Sequence, residues 1–184
     1  CAVNPMHTSG RLSQANELIL EHFNAISPEN CLKPEAVQPQ PGVWTFEEAD
    51  EYVAFGQEHG LWMLGHTLVW HNQTPSFYWY NEDGSPKSRE ELIETMRAHI
   101  EIVAGRYAGR IDAWDVGNEI IGEFGEYREK GWVKAFGGDG YEVVRNAFIF
   151  ADRYAPDAEL YYNDFNVWRP AHLDGIVTMV KKLQ

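Results

Sequence analysis

Residues 61–71, Leu61-Trp62-Met63-Leu64-Gly65-His66-Thr67-Leu68-Val69-Trp70-His71, constrain the fold most. The run is nearly continuous in apolar side chains. A strand apolar at consecutive positions is covered on both faces, as in a parallel sheet flanked by helices. Four other short segments read as strands: residues 1–4, Phe23-Asn24-Ala25-Ile26, Ile111 to Val116, and Glu159-Leu160-Tyr161-Tyr162. Helical patterns separate them. Leu12, Ala15, Leu18, Ile19 and Phe23 form a stripe at helical spacing. Thr45 with Glu48, and Ser88 with Glu91, have the spacing of capping boxes that open helices. Ala49, Tyr52, Val53 and Gly56 would carry the buried face of the first, and Gly60 stops it. The second runs to about Ala104. Another lies near 141–154, ended by Pro156, and Pro170 opens the last at a first helical position. Residues 35–44 and the Gly-rich 122–140 read as loops. Alternating strands and helices predict an α/β fold with a parallel sheet and helical crossovers. No Gly-x-Gly-x-x-Gly or Walker pattern follows a strand, which disfavours a nucleotide-binding doubly wound sheet.

Polar clusters sit at the ends of these strands. Ser27 to Pro34 follows the second, Asn72-Gln73-Thr74-Pro75-Ser76 the third, Asn118-Glu119 the fourth and Asn163-Asp164-Phe165-Asn166 the fifth. In a (β/α) barrel these ends share one face, where active sites are found. One convergent site explains four polar ends together. Glu119 alone is compatible with an ordinary solvated carboxylate after a strand. The seven Trp and nine Tyr include core residues, yet rings of this kind also suit a groove for sugars, whose C–H faces are apolar. A net charge of −13 argues against nucleic acid and anionic membrane as partners. No apolar run approaches the roughly 20 residues that span a bilayer. Cys1 and Cys31 form no C-x-x-C pair, and the sequence leaves a disulfide between them open. His66 and His71 lie in the apolar strand without H-E-x-x-H or an Asp-rich calcium loop, so no metal or other cofactor is expected. No G-x-S-x-G elbow supports a serine triad. The remaining chemistry is carboxylate acid–base work beside aromatics and amides. Glycoside hydrolysis is its natural case, and retention of configuration needs two carboxyl groups about 5–5.5 Å apart.

Four motifs carry a resemblance: Gly65-His66-Thr67-Leu68-Val69-Trp70-His71 with Gln73-Thr74-Pro75, Trp114-Asp115-Val116-Gly117-Asn118-Glu119, Tyr161-Tyr162-Asn163-Asp164-Phe165-Asn166, and Glu29-Asn30-x-x-Lys33. Together they resemble the family 10 glycoside hydrolases, the endo-1,4-β-xylanases. The resemblance implies a (β/α)8 TIM-type barrel, of which residues 1–184 would be a partial catalytic domain with the first five β/α units. It implies endo-hydrolysis of β-1,4-xylosidic linkages in xylan, by a retaining double displacement. Glu119 would be the acid that protonates the leaving oxygen, and then the base that activates water. Asn118 would bond the 2-hydroxyl of the reacting sugar. His66 and Lys33 would hold other hydroxyls of that sugar, and Trp70 would wall its subsite. Glu29, Asn30 and Gln73 would bind the neighbouring sugar, and Phe165 and Asn166 would line the leaving-group side. A polymeric substrate implies a secreted, periplasmic or cell-surface protein.

The chain also departs from the family pattern. Phe165 stands where Tyr is usual, Gly117 where Val is usual and Asn72 where Ser is common. Asn72-Gln73-Thr74 is formally a glycosylation sequon, but a glycan there would block the groove. The family's nucleophile, a Glu near the end of the seventh strand, has no match in residues 1–184. Strands six to eight and the nucleophile are therefore expected in a C-terminal continuation or a second chain. Three alternatives remain: a barrel hydrolase of β-glucan, a non-catalytic xylo-oligosaccharide-binding remnant, or an inactive truncated fragment.

Overall fold

A computed structural model describes residues 1–183. Five parallel strands lie in one sheet in chain order: β1 (Ala2–Val3), β2 (Ala25–Pro28), β3 (Trp62–Val69), β4 (Ala113–Asn118) and β5 (Glu159–Asn163). Helices α1 (Pro5–Thr8) and α2 (Ser13–His22) lead from β1 to β2, and α3 (Pro34–Val37) and α4 (Glu47–Glu58) from β2 to β3. A 3-10 turn, Ser76–Tyr78, and α5 (Arg89–Arg106) lead to β4, α6 (Gly131–Ala135) and α7 (Gly140–Tyr154) lead to β5, and α8 (Pro170–Leu183) follows. Parallel neighbours in chain order, each joined through helix, are the first five units of a (β/α)8 barrel.

The wall is held by fitted contacts. Every residue of β4 is buried, because β3 and β5 flank it and α7 packs against it. Gly65 pairs in register with Trp114, and a Cβ on Gly65 would fall inside the indole. The missing side chain is what lets this large ring lie fully buried against β3. From α4, the Tyr52 hydroxyl sits 2.9 Å from the carbonyls of both Ile26 and Leu64, tying the helix to β2 and β3. From α5, buried His99 holds its Nε2 3.0 Å from the Leu68 carbonyl and its Nδ1 2.8 Å from the Tyr78 hydroxyl. A carbonyl only accepts, so Nε2 carries the proton and Nδ1 accepts.

Several expected boundaries move. The Ser88–Glu91 capping box forms, with both reciprocal bonds. The one at Thr45 does not: α4 begins at Glu47 with Phe46 at its cap. The Thr45 hydroxyl instead donates to the Ala36 carbonyl at 2.6 Å, so it fastens α3 rather than capping α4. Three acids in the first turn, Glu47, Glu48 and Asp50, suit the positive end of the helix dipole in its place. β2 and β4 each lie two residues later than expected, which brings Asn118 into the strand. Within the α2 stripe only Ile19 is buried, while Leu18 and Phe23 are about half exposed. The stretches read as loops contain the short helices α3 and α6. Cys1 and Cys31 are free thiols, and burial pushes the Cys31 thiol up to about 12.

Candidate active site

The C-terminal ends of β2, β3 and β4 bring most of the expected residues together. Lys33, at the start of α3, is buried. Its Nζ donates to Asn30 Oδ1 at 3.0 Å and to Gln73 Oε1 at 2.8 Å, and Gln73 Nε2 donates to the same Asn30 oxygen at 3.2 Å. The ammonium lies 4.9 Å above the Trp70 ring, a cation–π distance. The indole Nε1 of Trp70 donates to Glu119 Oε2 at 3.1 Å. A continuous path thus runs from the end of β2 to the end of β4. Burial lowers the Lys33 pKa, and the charges of Glu119 and Glu29 pull in the opposite direction. Glu29 stands apart from this cluster: its carboxylate accepts from Asn4 Nδ2 at 3.2 Å.

His66 and Asn118 are each held at one end and left open at the other. His66 Nδ1 lies 2.9 Å from Asp115 Oδ2, on the paired position of β4. The carboxylate selects the tautomer with the proton on Nδ1, leaving Nε2 for a ligand. Asn118 Oδ1 accepts from Asn163 Nδ2 at 2.8 Å across β4 and β5, and its own Nδ2 has no partner among the described residues.

Glu119 sits just beyond β4 in the left-handed region, with φ +53. A non-glycine residue there is strained and needs fixing by its neighbours. Its N–H donates to the Asn163 carbonyl at 3.0 Å, and its own carbonyl accepts from Arg128 Nε at 3.0 Å. Arg128 Nη2 also donates to the Ile121 carbonyl at 3.0 Å. The next two amides, Ile120 and Ile121, both donate to the Tyr162 hydroxyl at 2.9 Å. That hydroxyl donates in turn to Asp164 Oδ2. Buried His172 of α8 places Nε2 3.2 Å from Asp164 Oδ1, out of hydrogen-bond alignment. Gly117 shares this crowding: a Cβ there would lie 3.1 Å from Ile120 Cδ1 and 3.5 Å from Tyr162 Cδ2.

Phe165 and Asn166 lie on the β5 side and make no hydrogen bond to the Glu119 side chain. Phe165 lies beneath the Arg128 guanidinium at 5.6 Å, so it touches the support of Glu119 rather than its carboxylate. Asn166 is left-handed, with φ +58, and accepts from the Arg169 N–H at 2.9 Å. Beside Glu119, burial together with Arg128 and Lys130 lowers the His71 pKa to about 4, keeping that ring neutral near pH 7.

No sequence pattern marks the supporting roles of Asp115, Arg128, Tyr162 and Asp164. The motifs contain Asp115, Tyr162 and Asp164, but only the register across β3, β4 and β5 shows what they hold. Arg128 lies in the irregular stretch after β4, where no periodicity marks it.

Chain-ordered β/α units with a carboxylate, amides, an imidazole and a lysine gathered at the strand ends define a barrel protein with its site at the C-terminal mouth. The sequence model of Glycosyl hydrolase family 10 matches residues 1–184, and the chain belongs to that family. It is 41% identical over 166 residues to endo-1,4-beta-xylanase A of Xylanibacter ruminicola, covering 90% of this chain and 44% of that protein. It is 38% identical over 194 residues to endo-1,4-beta-xylanase A of Halalkalibacterium halodurans, covering 99% and 48%. The chain therefore spans about half the length of these curated relatives. Among solved structures, a family 10 endoxylanase retrieved from sugarcane soil metagenome superposes with a TM-score of 0.93 at 40% identity, covering 99% of this chain and 53% of that one. An intracellular xylanase from Thermoanaerobacterium saccharolyticum gives a TM-score of 0.91 at 33% identity, covering 99% and 58%.

Proposed function

We propose that residues 1–184 are the N-terminal part of the catalytic domain of an endo-1,4-β-xylanase that acts on xylan with retention of configuration. The observation that carries this reading is the path from Asn30, Lys33 and Gln73, joined by hydrogen bonds, through the cation–π contact of Lys33 with Trp70 to the Trp70–Glu119 hydrogen bond. It supplies hydroxyl-binding groups and a carboxylate in one groove. Glu119 is the general acid and then the base, and the nucleophilic carboxylate comes from sequence outside this chain. Nε2 of His66, Nδ2 of Asn118 and Nζ of Lys33 hold hydroxyls of the reacting sugar, and Trp70 walls its subsite. Glu29, Asn30 and Gln73 contact the neighbouring sugar. Phe165 and Asn166 line the leaving-group side, where Phe165 offers a ring face without a hydroxyl.

The site of action is outside the cytoplasm, at the cell surface, in the periplasm or secreted. An intracellular relative shows that fractionation of the native host is the deciding measurement. Among the described residues, no helix is long and apolar enough to cross a membrane.

Hydrolysis is tested with the barrel completed, by continuation or by the missing strands in trans. Reducing ends should then appear from xylan faster than from a soluble cellulose derivative, and should be lost in Glu119→Gln. Turnover intact in that variant contradicts the assignment. Xylo-oligosaccharide binding without turnover in the completed barrel leaves only the binding-remnant reading.

A further inference from the structure

The loop after β3 and the short helix α6 enclose a second concavity of about 420 Å3. Trp79, Tyr80, Pro86, Lys87, Gly131 and Lys134 line it, and none of Lys33, His66, Trp70 or Glu119 does. Its volume is within the range of small-molecule sites, about 300–1,000 Å3.

Its walls are fixed by the local chain. Tyr80 and Pro86 form a bridge, Lys87 N–H donates to the Trp79 carbonyl at 3.0 Å, and Asn81 N–H donates to the Ser85 carbonyl at 2.8 Å. These bonds close residues 79–87 into a ribbon that holds the aromatic wall. On the opposite side Gly131 has φ +48, and a Cβ there would lie 2.9 Å from His71 Cα and 3.0 Å from Trp79 Cζ2. Only glycine lets α6 start this close, so backbone forms that wall.

Tyr80 is 41% exposed and presents its ring to the space, and two lysines complete the polar lining. Lys87 is partly desolvated, and its Nζ donates to Thr95 Oγ1 at 3.0 Å. The nearby Glu91 carboxylate accepts from Ser88 N–H at 2.7 Å, as the helix cap requires. Among the described residues neither Lys87 nor Lys134 makes an ion pair. Two unpaired ammonium groups beside aromatic rings, in a chain of net charge −13, suit an anion with an apolar face.

We propose that this concavity is an auxiliary site for a carboxylate-bearing sugar, a uronic acid ring on an oligosaccharide. The sugar face lies on Tyr80 and Trp79, and its carboxylate lies between Lys87 and Lys134. The site is independent of the role of Glu119, because it shares no lining residue with the groove.

The test is a chemical-shift titration of the protein with strands six to eight supplied, with xylotriose carrying one glucuronic acid and with neutral xylotriose. The acidic sugar should perturb Tyr80, Lys87 and Lys134, and the neutral one should perturb only residues around Lys33 and Gln73. Affinity at the auxiliary site should fall about tenfold or more in Lys134→Glu, and also on raising salt from roughly 0.05 to 0.5 M. Lys33→Ala should leave it unchanged. Three results overturn the proposal: no perturbation at Lys87 and Lys134, equal perturbation there by the neutral sugar, or equally tight binding of benzoate. Loss of the auxiliary signals in Lys33→Ala also overturns it, since they would then belong to the groove. If the neutral sugar binds nowhere while the acidic one still binds here, the groove reading fails and this one stands.

Discussion

Glu119 is presented by bonds to its backbone as much as by its side chain. Arg128 and Asn163 hold its own peptide groups, and Tyr162 holds the next two amides. Tyr162→Phe keeps the ring but leaves two N–H groups without their acceptor. Losing an acceptor from buried donors costs about 1–3 kcal/mol. The expected outcome is a lower melting temperature together with a fall in kcat of the completed enzyme at little changed KM. A fall in melting temperature with unaltered kcat would show that the hydroxyl only stabilises the fold. Glu119→Gln keeps the shape and removes the transferable proton. General acid catalysis typically contributes about 10²–10⁴-fold, and the xylan rate should drop by that order. Lys33→Ala removes a hydroxyl donor and the cation above Trp70, so weaker oligosaccharide binding is expected, measured by calorimetry on the completed enzyme.

At the scale of elements, the pairing of β3 with β4 governs the geometry. It sets Gly65 against Trp114 and His66 against Asp115. Gly65→Ala would drive a methyl group into the buried indole. Overpacking of this kind costs typically about 1–3 kcal/mol, which a denaturant melt would show. Helix α5 fixes the same strand through His99, whose pKa burial lowers to about 4 from an ordinary 6.5. Between these values the unfolded chain binds the proton and the folded chain does not. Stability is therefore complete above about pH 6.5 and declines as pH falls toward 4, by at most about 3 kcal/mol from this group. His71, also held near 4, contributes in the same window. His99→Gln should flatten the pH dependence of the melting temperature only in part. An unchanged slope would place its origin elsewhere.

The elements also show what a single sequence makes legible. The apolar run of β3 and the buried face of α4 follow from local pattern, and so does the Ser88 cap. Thr45 misleads because its hydroxyl has a competing acceptor, the Ala36 carbonyl, that only the folded chain brings near. Within the site, Lys33, Asn30 and Gln73 are recognisable as a polar set at two strand ends, and they do bond to one another. Arg128 is invisible because its partners are backbone carbonyls of a strand end, which leave no trace in side-chain pattern.

Across the whole molecule, exposed apolar residues collect toward the two ends of the sheet. Leu18 and Phe23 lie beside the first strands, and Val167, Trp168 (75% exposed), Leu173 and Val177 lie beyond the last. β1 and β5 each have one neighbour among the described residues. Surfaces of this kind favour association. Residues 1–184 expressed by themselves should self-associate in sedimentation, whereas the chain with strands six to eight supplied should be monomeric. The central claim is that Glu119 delivers the proton to the leaving oxygen. It is tested most directly in the completed enzyme by leaving-group dependence in Glu119→Gln, with pre-steady-state release from two aryl xylobiosides. A dinitrophenolate departs without protonation, so its first-turnover release should remain near the wild-type rate, while release of an unactivated phenol falls by about two orders of magnitude or more. Equal losses on both substrates, or no loss on either, would contradict Glu119 as the acid.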